Sequence, residues 1–250
     1  MFNANQPYKF ISRFELEDAD PGDLIHLVSY PAGSCLYVTD NGNRCIWRIV
    51  VTRMSHTINR FVDVEGSLGA LSVTSDGRLL VMNTKYNRLA IYNCDGALER
   101  NVLPENIGLM YPQNAVETAK GTILVCNGLV THRSHMVSEL SSDGEDILCS
   151  YGNDYNGIGP KDLSKPVYLF VRSQDQNVFV VDSVNKRINL LNNQLNFIST
   201  MSTDDYRPTC MFFDCESDNL IIGASDRGIR ILKWAYYASP KPVGNIELPL

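Results

Sequence analysis

The sequence predicts an all-β fold: a β-propeller of four-stranded antiparallel blades, with five readable blades and six as the alternative. Three observations support this. A short apolar run, ending in Asp or Asn in four of its five copies, recurs at intervals of 43, 44, 55 and 42 residues, close to the period of a propeller blade. Tight-turn sequences such as Asp-Gly separate the apolar runs. Helical periodicity is almost absent.

The second strand of each predicted blade is its most regular element. We call the last residue of this strand the anchor. The five runs are "LYVTD" ending at Asp40, "LLVMN" at Asn83, "ILVCN" at Asn127, "VFVVD" at Asp182 and the weaker "LIIGA" at Ala224. Short aliphatic and β-branched runs of this kind are typical of buried strands.

Each period also contains an apolar run before this strand and two after it, which gives four strands, a to d. The predicted blades span residues 18–66, 67–106, 107–152, 160–203 and 204–250 of a single domain covering 1–250, with residues 8–17 as an extra closing strand. Ring closure protects strand edges. A β-sandwich is the alternative, but it does not require five near-equal periods.

The third strand follows the anchor at a nearly constant distance. An apolar residue stands six positions after the anchor, and an insertion and a deletion place Met136 and Ile229 there in the third and fifth copies. Arg88 and Arg187 stand five positions after their anchors, where a guanidinium could bridge the anchor and backbone carbonyls. Cys45 occupies this position in the first copy, so we expect that blade to lack the bridge.

Composition restricts the function. The net charge of −6 argues against dominant non-specific nucleic-acid binding. No apolar run is long enough to span a membrane, and the N-terminus does not resemble a secretory signal. The seven cysteines are therefore expected to be reduced in a cytoplasmic protein, with no disulfide-linked partner. A Cys35–Cys45 disulfide is the less favoured alternative.

The loops indicate a binding face. In a propeller blade the b–c and d–a loops emerge on one face, which we call the BC face, and here the b–c loops carry seven of the 22 Arg and Lys residues: Arg44, Lys85, Arg88, Arg133, Lys186, Arg187 and Arg227. The a–b and c–d turns on the opposite face are mostly acidic. Residues that vary between copies are the better binding candidates, because repeated residues usually build the repeat. The predicted partner-binding residues are Asn41, Asn43, Arg44, Lys85, Tyr86, His132, Arg133, Tyr155, Lys186, Tyr206 and Arg227.

No catalytic constellation is recognisable, so the sequence predicts no enzyme, no cofactor and no metal site. His132 and His135 could in principle ligate a metal together, but we expect both to be surface histidines. His26 is the main polar candidate on an inner strand. A propeller lyase or hydrolase with a metal in its channel is the weaker alternative.

The repeat resembles the NHL family. "VVDSVNKRINLL" (180–191) fits its pattern of anchor Asp, Asn, a basic residue, Arg and Ile, whereas "VTDNGNRCIWRI" and "VMNTKYNRLAIY" each depart once. The resemblance implies a propeller scaffold of the tripartite-motif type that binds a protein or peptide, or alternatively single-stranded RNA. The chain has no RING or B-box Cys/His spacing, so it corresponds only to the propeller of such a ubiquitin-ligase-type multidomain protein.

Overall fold

A computed structural model describes residues 24–52, 55–102, 107–128, 134–153, 159, 161–203, 206–214, 219–224, 228–233 and 242–246. These residues form five four-stranded antiparallel sheets, arranged as the blades of a β-propeller. In each sheet the four strands lie side by side in chain order, with the first strand of each blade at the centre of the ring. The predicted fold class is therefore confirmed.

The strands of the first two blades follow the predicted a-to-d order. Blade 1 contains β1 (Leu24–Tyr30), β2 (Cys35–Asp40), β3 (Cys45–Val51) and β4 (His56–Asp63), with a 3-10 turn at Pro31–Gly33. Blade 2 contains β5 (Leu68–Val73), β6 (Leu79–Asn83), β7 (Arg88–Tyr92) and β8 (Leu98–Val102).

The remaining blades repeat this order. Blade 3 contains β9 (Pro112–Glu117), β10 (Ile123–Asn127), β11 (His135–Leu140) and β12 (Ile147–Asn153). Blade 4 contains β13 (Pro166–Val171), β14 (Val178–Asp182), β15 (Arg187–Leu191) and β16 (Phe197–Ser202). Blade 5 contains β17 (Pro208–Asp214), β18 (Asn219–Ala224), β19 (Gly228–Lys233) and β20 (Pro242–Ile246). Its fourth strand comes from its own blade, and the predicted closing strand at 8–17 lies outside the described residues.

Burial explains the sequence pattern of the strands. Every residue of β6, β10 and β14 is buried, because the second strand of a blade is covered by neighbouring blades on both faces. Such strands read as continuous apolar runs. The outer strand β16 instead alternates between more exposed and more buried residues over most of its length, as expected when one face is solvated.

The core lies between the blades. Four apolar clusters each join two consecutive blades. Leu71 packs with Tyr37 of blade 1, and Leu169 packs with Leu124 of blade 3. Between blades 4 and 5 the rings of Phe179 and Phe213 stack with their centroids 5.7 Å apart.

The strand register corrects one alignment. The anchor Asn127 pairs with Met136, whereas Cys126 pairs with Val137. Met136 therefore corresponds to the arginine position of blades 2 and 4, and Val137, fully buried, takes the repeated apolar position that we assigned to Met136. The insertion in this loop is one residue longer than the sequence alignment assumed.

The anchor Asp182 collects its hydrogen bonds from two parts of the chain. Arg187 Nε donates to Asp182 Oδ2 over 2.9 Å, and Ser164 N, in the connection that leads into blade 4, donates to Oδ1 over 2.7 Å. Arg187 also donates to the carbonyls of Gly159 and Asp162 in that connection. The predicted structural bridge is therefore present at Arg187.

Blade 1 keeps an equivalent contact without an arginine. Trp47 Nε1 donates to Asp40 Oδ2 over 3.1 Å. Trp47 lies two residues beyond Cys45, so both side chains point to the same face of β3. The expectation that blade 1 lacks a bridge was wrong, because the indole N–H takes the place of the guanidinium.

The register also separates the two cysteines of the first hairpin. Cys35 lies opposite Val50, and Cys45 lies opposite Asp40, at the two ends of the hairpin. A disulfide between them is therefore excluded, because its Cα atoms must lie within about 7 Å of each other. The cysteines of the described chain, Cys35, Cys45, Cys94, Cys126, Cys149 and Cys210, are free thiols.

Arg187→Ala is expected to lower the free energy of unfolding by about 3–5 kcal/mol, because it leaves the fully buried Asp182 carboxylate without its cation. Urea denaturation measures this loss. Adding Asp182→Asn should recover part of the stability, since the unpaired charge is then removed. The matched control is Arg60→Ala, which breaks the exposed Arg60–Asp63 pair and should have little effect. Equal losses for the two arginine variants would contradict the assigned role of Arg187.

Candidate functional site

Apart from Tyr206, the candidate residues that can be located lie in three b–c loops of the BC face. These loops span 41–44 in blade 1, 84–87 in blade 2 and 183–186 in blade 4. The predicted candidates His132, Arg133, Tyr155 and Arg227 lie outside the described residues and remain predictions.

Two asparagines of the blade 1 loop make structural hydrogen bonds. Asn43 donates from its backbone N and from Nδ2 to the two carboxylate oxygens of Asp40, each over 2.9 Å. Asn41 Oδ1 accepts a hydrogen bond from Leu68 N in blade 2 over 3.0 Å. Both side chains are half-buried, so the main surface that this loop offers to a partner is the exposed side chain of Arg44.

Arg44 has an unusual backbone conformation. Its φ is 52°, and the residues at the same place in blades 2 and 4, Asn87 and Lys186, have φ of 47° and 51°. Left-handed backbone costs a residue with a Cβ about 1–2 kcal/mol, and Asn accepts it more readily than Arg or Lys. Blades 1 and 4 therefore carry a long basic side chain where a turn residue would be more stable.

Blade 2 presents a cluster of one aromatic ring and two cations, which we call the Tyr86 cluster. Lys85 Nζ lies 5.1 Å and Arg88 Cζ lies 5.0 Å from the centre of the Tyr86 ring. The Tyr86 side chain is 40% exposed. Arg88 Nε is buried and has no hydrogen-bond partner within the described chain. Arg88 was predicted to bridge the anchor, but among the described contacts it instead stacks on Tyr86.

A glycine of the d–a connection supports the Tyr86 cluster. Gly66 has φ 102°, and a Cβ there would lie 2.8 Å from Tyr86 Cε2 and 2.7 Å from Asn83 Oδ1. The same connection touches the blade 1 loop, since Val64 N donates to Arg44 O over 2.8 Å. The connection 64–68 thus contacts both the backbone of Arg44 and the Tyr86 ring. Repetition did not single out Gly66, because it lies between the repeated strands.

Blade 4 contributes less than predicted. Lys186 is half-buried, and its carbonyl accepts a hydrogen bond from Thr203 N over 2.8 Å. Tyr206 is only 2% exposed and packs in the cluster between blades 4 and 5. Tyr206 was predicted to face a partner, but its ring packs in the interface between blades 4 and 5 and is not accessible there.

The histidines also differ from expectation. His135 is fully buried rather than on the surface, and its Nδ1 accepts a hydrogen bond from Lys165 N over 3.0 Å. It thereby joins blade 3 to the connection that leads into blade 4. His26 lies on β1 with its ring centroid 5.6 Å from that of Tyr168, and burial lowers its pKa. Within the described chain no group of three or more His, Cys, Asp or Glu could hold a metal ion.

The opposite face is acidic, as predicted, but many of its charges are paired. Asp76 accepts hydrogen bonds from Thr74 and Arg78, which hold its pKa below the usual value. Arg78 also reaches Glu117 of blade 3, over 3.3 Å. A small pocket of about 40 Å³ lies between blades 3 and 4 on this face, where it is lined by Glu139 and by apolar side chains such as Leu124 and Val178.

Comparison with known proteins identifies the fold class. No protein-family model matches the sequence, and no curated protein matches it. Among solved structures, a chain of a nidogen/laminin complex aligns with a TM-score of 0.68 at 15% identity, over 85% of this chain and 76% of that one.

Two lyase structures align similarly. A catalytically inactive virginiamycin B lyase from Staphylococcus aureus, solved with quinupristin, gives a TM-score of 0.65 at 14% identity, over 94% of this chain and 74% of that one. A streptogramin B lyase gives 0.65 at 15% identity, over 90% and 69%. At these identities the comparisons establish the β-propeller fold and nothing narrower. None of the helices among the described residues is long and apolar enough to cross a bilayer.

Gly66→Ala is expected to destabilise the protein by about 1–3 kcal/mol, because alanine is strained at this φ and its Cβ would displace Tyr86. Gly108→Ala is the matched control: Gly108 also has positive φ, 80°, but nothing lies within 4 Å of a Cβ there. Urea denaturation of both variants separates backbone strain from the clash. A Gly66→Ala loss no larger than that of the control would show that Gly66 does not position Tyr86.

Proposed function

We propose that this chain is a non-catalytic, NHL-like propeller scaffold of the cytoplasm that binds a protein or peptide through its BC face. The observation that carries the proposal is the Tyr86 cluster beside Arg44. Tyr and Arg are the residue types that most often dominate the energy of binding interfaces. Here the partly exposed Tyr86 ring is fixed by cations and by Gly66 before any partner arrives, which reduces the entropy that binding must overcome.

The charges of this surface favour an acidic partner. Lys85 and Arg88 place two positive charges against the Tyr86 ring, and Arg44 adds a third on the loop of blade 1, in a protein of net charge −6. A segment with one apolar or aromatic side chain flanked by Asp or Glu would bury that side chain against Tyr86 and pair its carboxylates with the cations. The strained backbone of Arg44 supports the same assignment, since such strain persists where the side chain serves a function.

Single-stranded RNA is the alternative ligand, because aromatic rings and Arg also stack on bases. The acidic composition favours a protein partner over RNA. A lyase or hydrolase is the second alternative, because propeller lyases are similar in fold. A purified protein in which elemental analysis finds no bound metal would argue against this alternative.

Selection from a phage-displayed random peptide library against the immobilised protein tests the proposal. We expect enriched peptides that combine acidic residues with an aromatic or large apolar residue. Tyr86→Ala should weaken the best peptide by about tenfold or more, as expected for a hot-spot residue. Lys120→Glu is the control, because Lys120 lies on the opposite face with its side chain 58% exposed, and it should bind the peptide like the wild type.

A library that yields no specific peptide, or peptides insensitive to Tyr86→Ala, would contradict the proposal. A randomised single-stranded RNA pool in parallel distinguishes the alternative. Binding that falls steeply with salt and is lost in Lys85→Glu would assign the face to RNA instead.

Arg44→Asn separates function from stability. Asparagine accepts the left-handed backbone, so the variant should be as stable as the wild type or more stable by up to about 1 kcal/mol. The same change should weaken the selected peptide, because a cation is lost beside Tyr86. Denaturation and peptide titration measure the two effects. Lower stability with unchanged binding would show that Arg44 serves only the fold.

A further inference from the structure

The interface between blades 5 and 1 differs from the other four. The inner strands of successive blades pack against each other from β1 to β5, β5 to β9, β9 to β13 and β13 to β17. Each second strand also packs against the next inner strand, as β14 does against β17. Between blade 5 and blade 1 neither β17 nor β18 packs substantially against β1, so this junction lacks the contacts that hold the rest of the ring.

An apolar residue on the inner strand of blade 1 is exposed as a consequence. Leu27 pairs with Val38, and the residues with the same pairing in blades 2, 3 and 4 are Leu71, Ala115 and Leu169. Each of these three is 1% exposed, because it packs against the preceding blade, whereas Leu27 is 57% exposed.

Blade 5 is exposed on the surface that should meet blade 1. Ile229 is 41% exposed, whereas its counterparts Ile46, Leu89 and Ile188 are at most 1% exposed. Phe212 on β17 is 56% exposed, and Cys210, two residues earlier on the same face of that strand, is exposed as well. We call the space bounded by Leu27, Cys210, Phe212 and Ile229 the wedge.

Among the residues that the structure describes, the wedge is an apolar surface without a partner at its inner end. Aromatic and aliphatic side chains this exposed, on opposing walls, usually mark a docking surface. Farther out on blade 1, Val38, Cys45, Trp47 and Ile49 form a buried apolar cluster, but its described members all belong to blade 1. The other four clusters each span two blades, so the fifth needs a partner from elsewhere in the chain.

We propose that residues 8–17 dock in the wedge as an extended strand and provide this partner. The segment reads YKFISRFELE. In an extended strand Phe10, Phe14 and Leu16 lie on one face, which supplies the apolar groups, and Ile11 is the one apolar residue of the other face. Residues 18–23 connect it to β1 and span at most about 20 Å when extended. This tether keeps the segment beside blade 1, where its effective concentration is high.

Docking of this segment differs from completing a blade. Blade 5 already has its fourth strand, β20, so residues 8–17 would lie between two finished sheets rather than extend one of them. The segment would cover Leu27, Phe212 and Ile229. Because the blade 1 loop carries Arg44, closure at the wedge would also hold one edge of the proposed binding face.

Chemical cross-linking to the native thiol of Cys210 tests the proposal. Cysteine is introduced singly at residues 10–16, in a background with Cys215→Ser, and the full chain is treated with a short bismaleimide at low protein concentration. Peptide mass spectrometry identifies each linked pair. Cys94 is the internal control, because it is also an exposed thiol but lies in the c–d turn of blade 2. Melting curves show which variants keep the fold.

We expect intramolecular links to Cys210 at alternate positions of the segment, at least about tenfold more than links to Cys94. The period of two would identify a strand. Links equally frequent to both thiols, or no links to Cys210, would overturn the proposal. Links that join two chains would assign the wedge to a second copy, which also overturns it. None of these outcomes depends on whether the BC face binds a peptide.

Discussion

The buried polar anchor at the end of the second strand in blades 1 to 4 is the interaction on which the propeller depends. Asp40, Asn83, Asn127 and Asp182 are all fully buried polar side chains, and a buried polar group is costly unless it is hydrogen-bonded. Asp182 accepts from Ser164 in the incoming connection as well as from Arg187. Asn83 likewise donates to Glu65 O and accepts from Tyr86 N. One side chain thus fixes both the loop that leaves a strand and the connection that enters the blade.

The same constraint shapes the candidate binding face. The asparagines of the blade 1 loop are used to satisfy Asp40 and Leu68, which leaves Arg44 as the exposed side chain there. In blade 2 the anchor is an amide rather than a carboxylate, so no buried negative charge attracts Arg88. This guanidinium therefore stacks on Tyr86. The anchor is a carboxylate in blade 4 and an amide in blade 2. This difference explains why the arginine is structural in blade 4 and belongs to a surface cluster in blade 2.

Much of the fold could be predicted from the sequence, because the same strand positions are buried, and therefore apolar, in successive copies of the repeat. The anchors, the position of Arg187 and the apolar place of Ile229 follow from spacing alone. Contacts that depend on how strands pair and blades pack could not be predicted from this spacing. Trp47 takes the role of an arginine although it lies two residues further along the strand. The pairing of β10 with β11 assigns the repeated apolar position to Val137 instead of Met136. Tyr206 is buried in the interface between blades 4 and 5. The exposure of Leu27 and Phe212 is recognised only when the structures of the blades are compared, because the sequences of β1 and β17 resemble those of buried strands.

The central claim is that hydrogen bonds donated by backbone amides to side chains, across blade boundaries and from the connection that enters a blade, hold the ring as firmly as the strand ladders do. Amide hydrogen exchange followed by NMR tests it most directly at Leu68, Leu169 and Ser164. The amides of Leu68 and Leu169 bind the side chains of Asn41 and Asn114 in the preceding blades, and that of Ser164 binds Asp182. We predict that these three amides exchange as slowly as those of the fully buried strand β14. Exchange at the rate of exposed turn amides such as Asn193 would contradict the account.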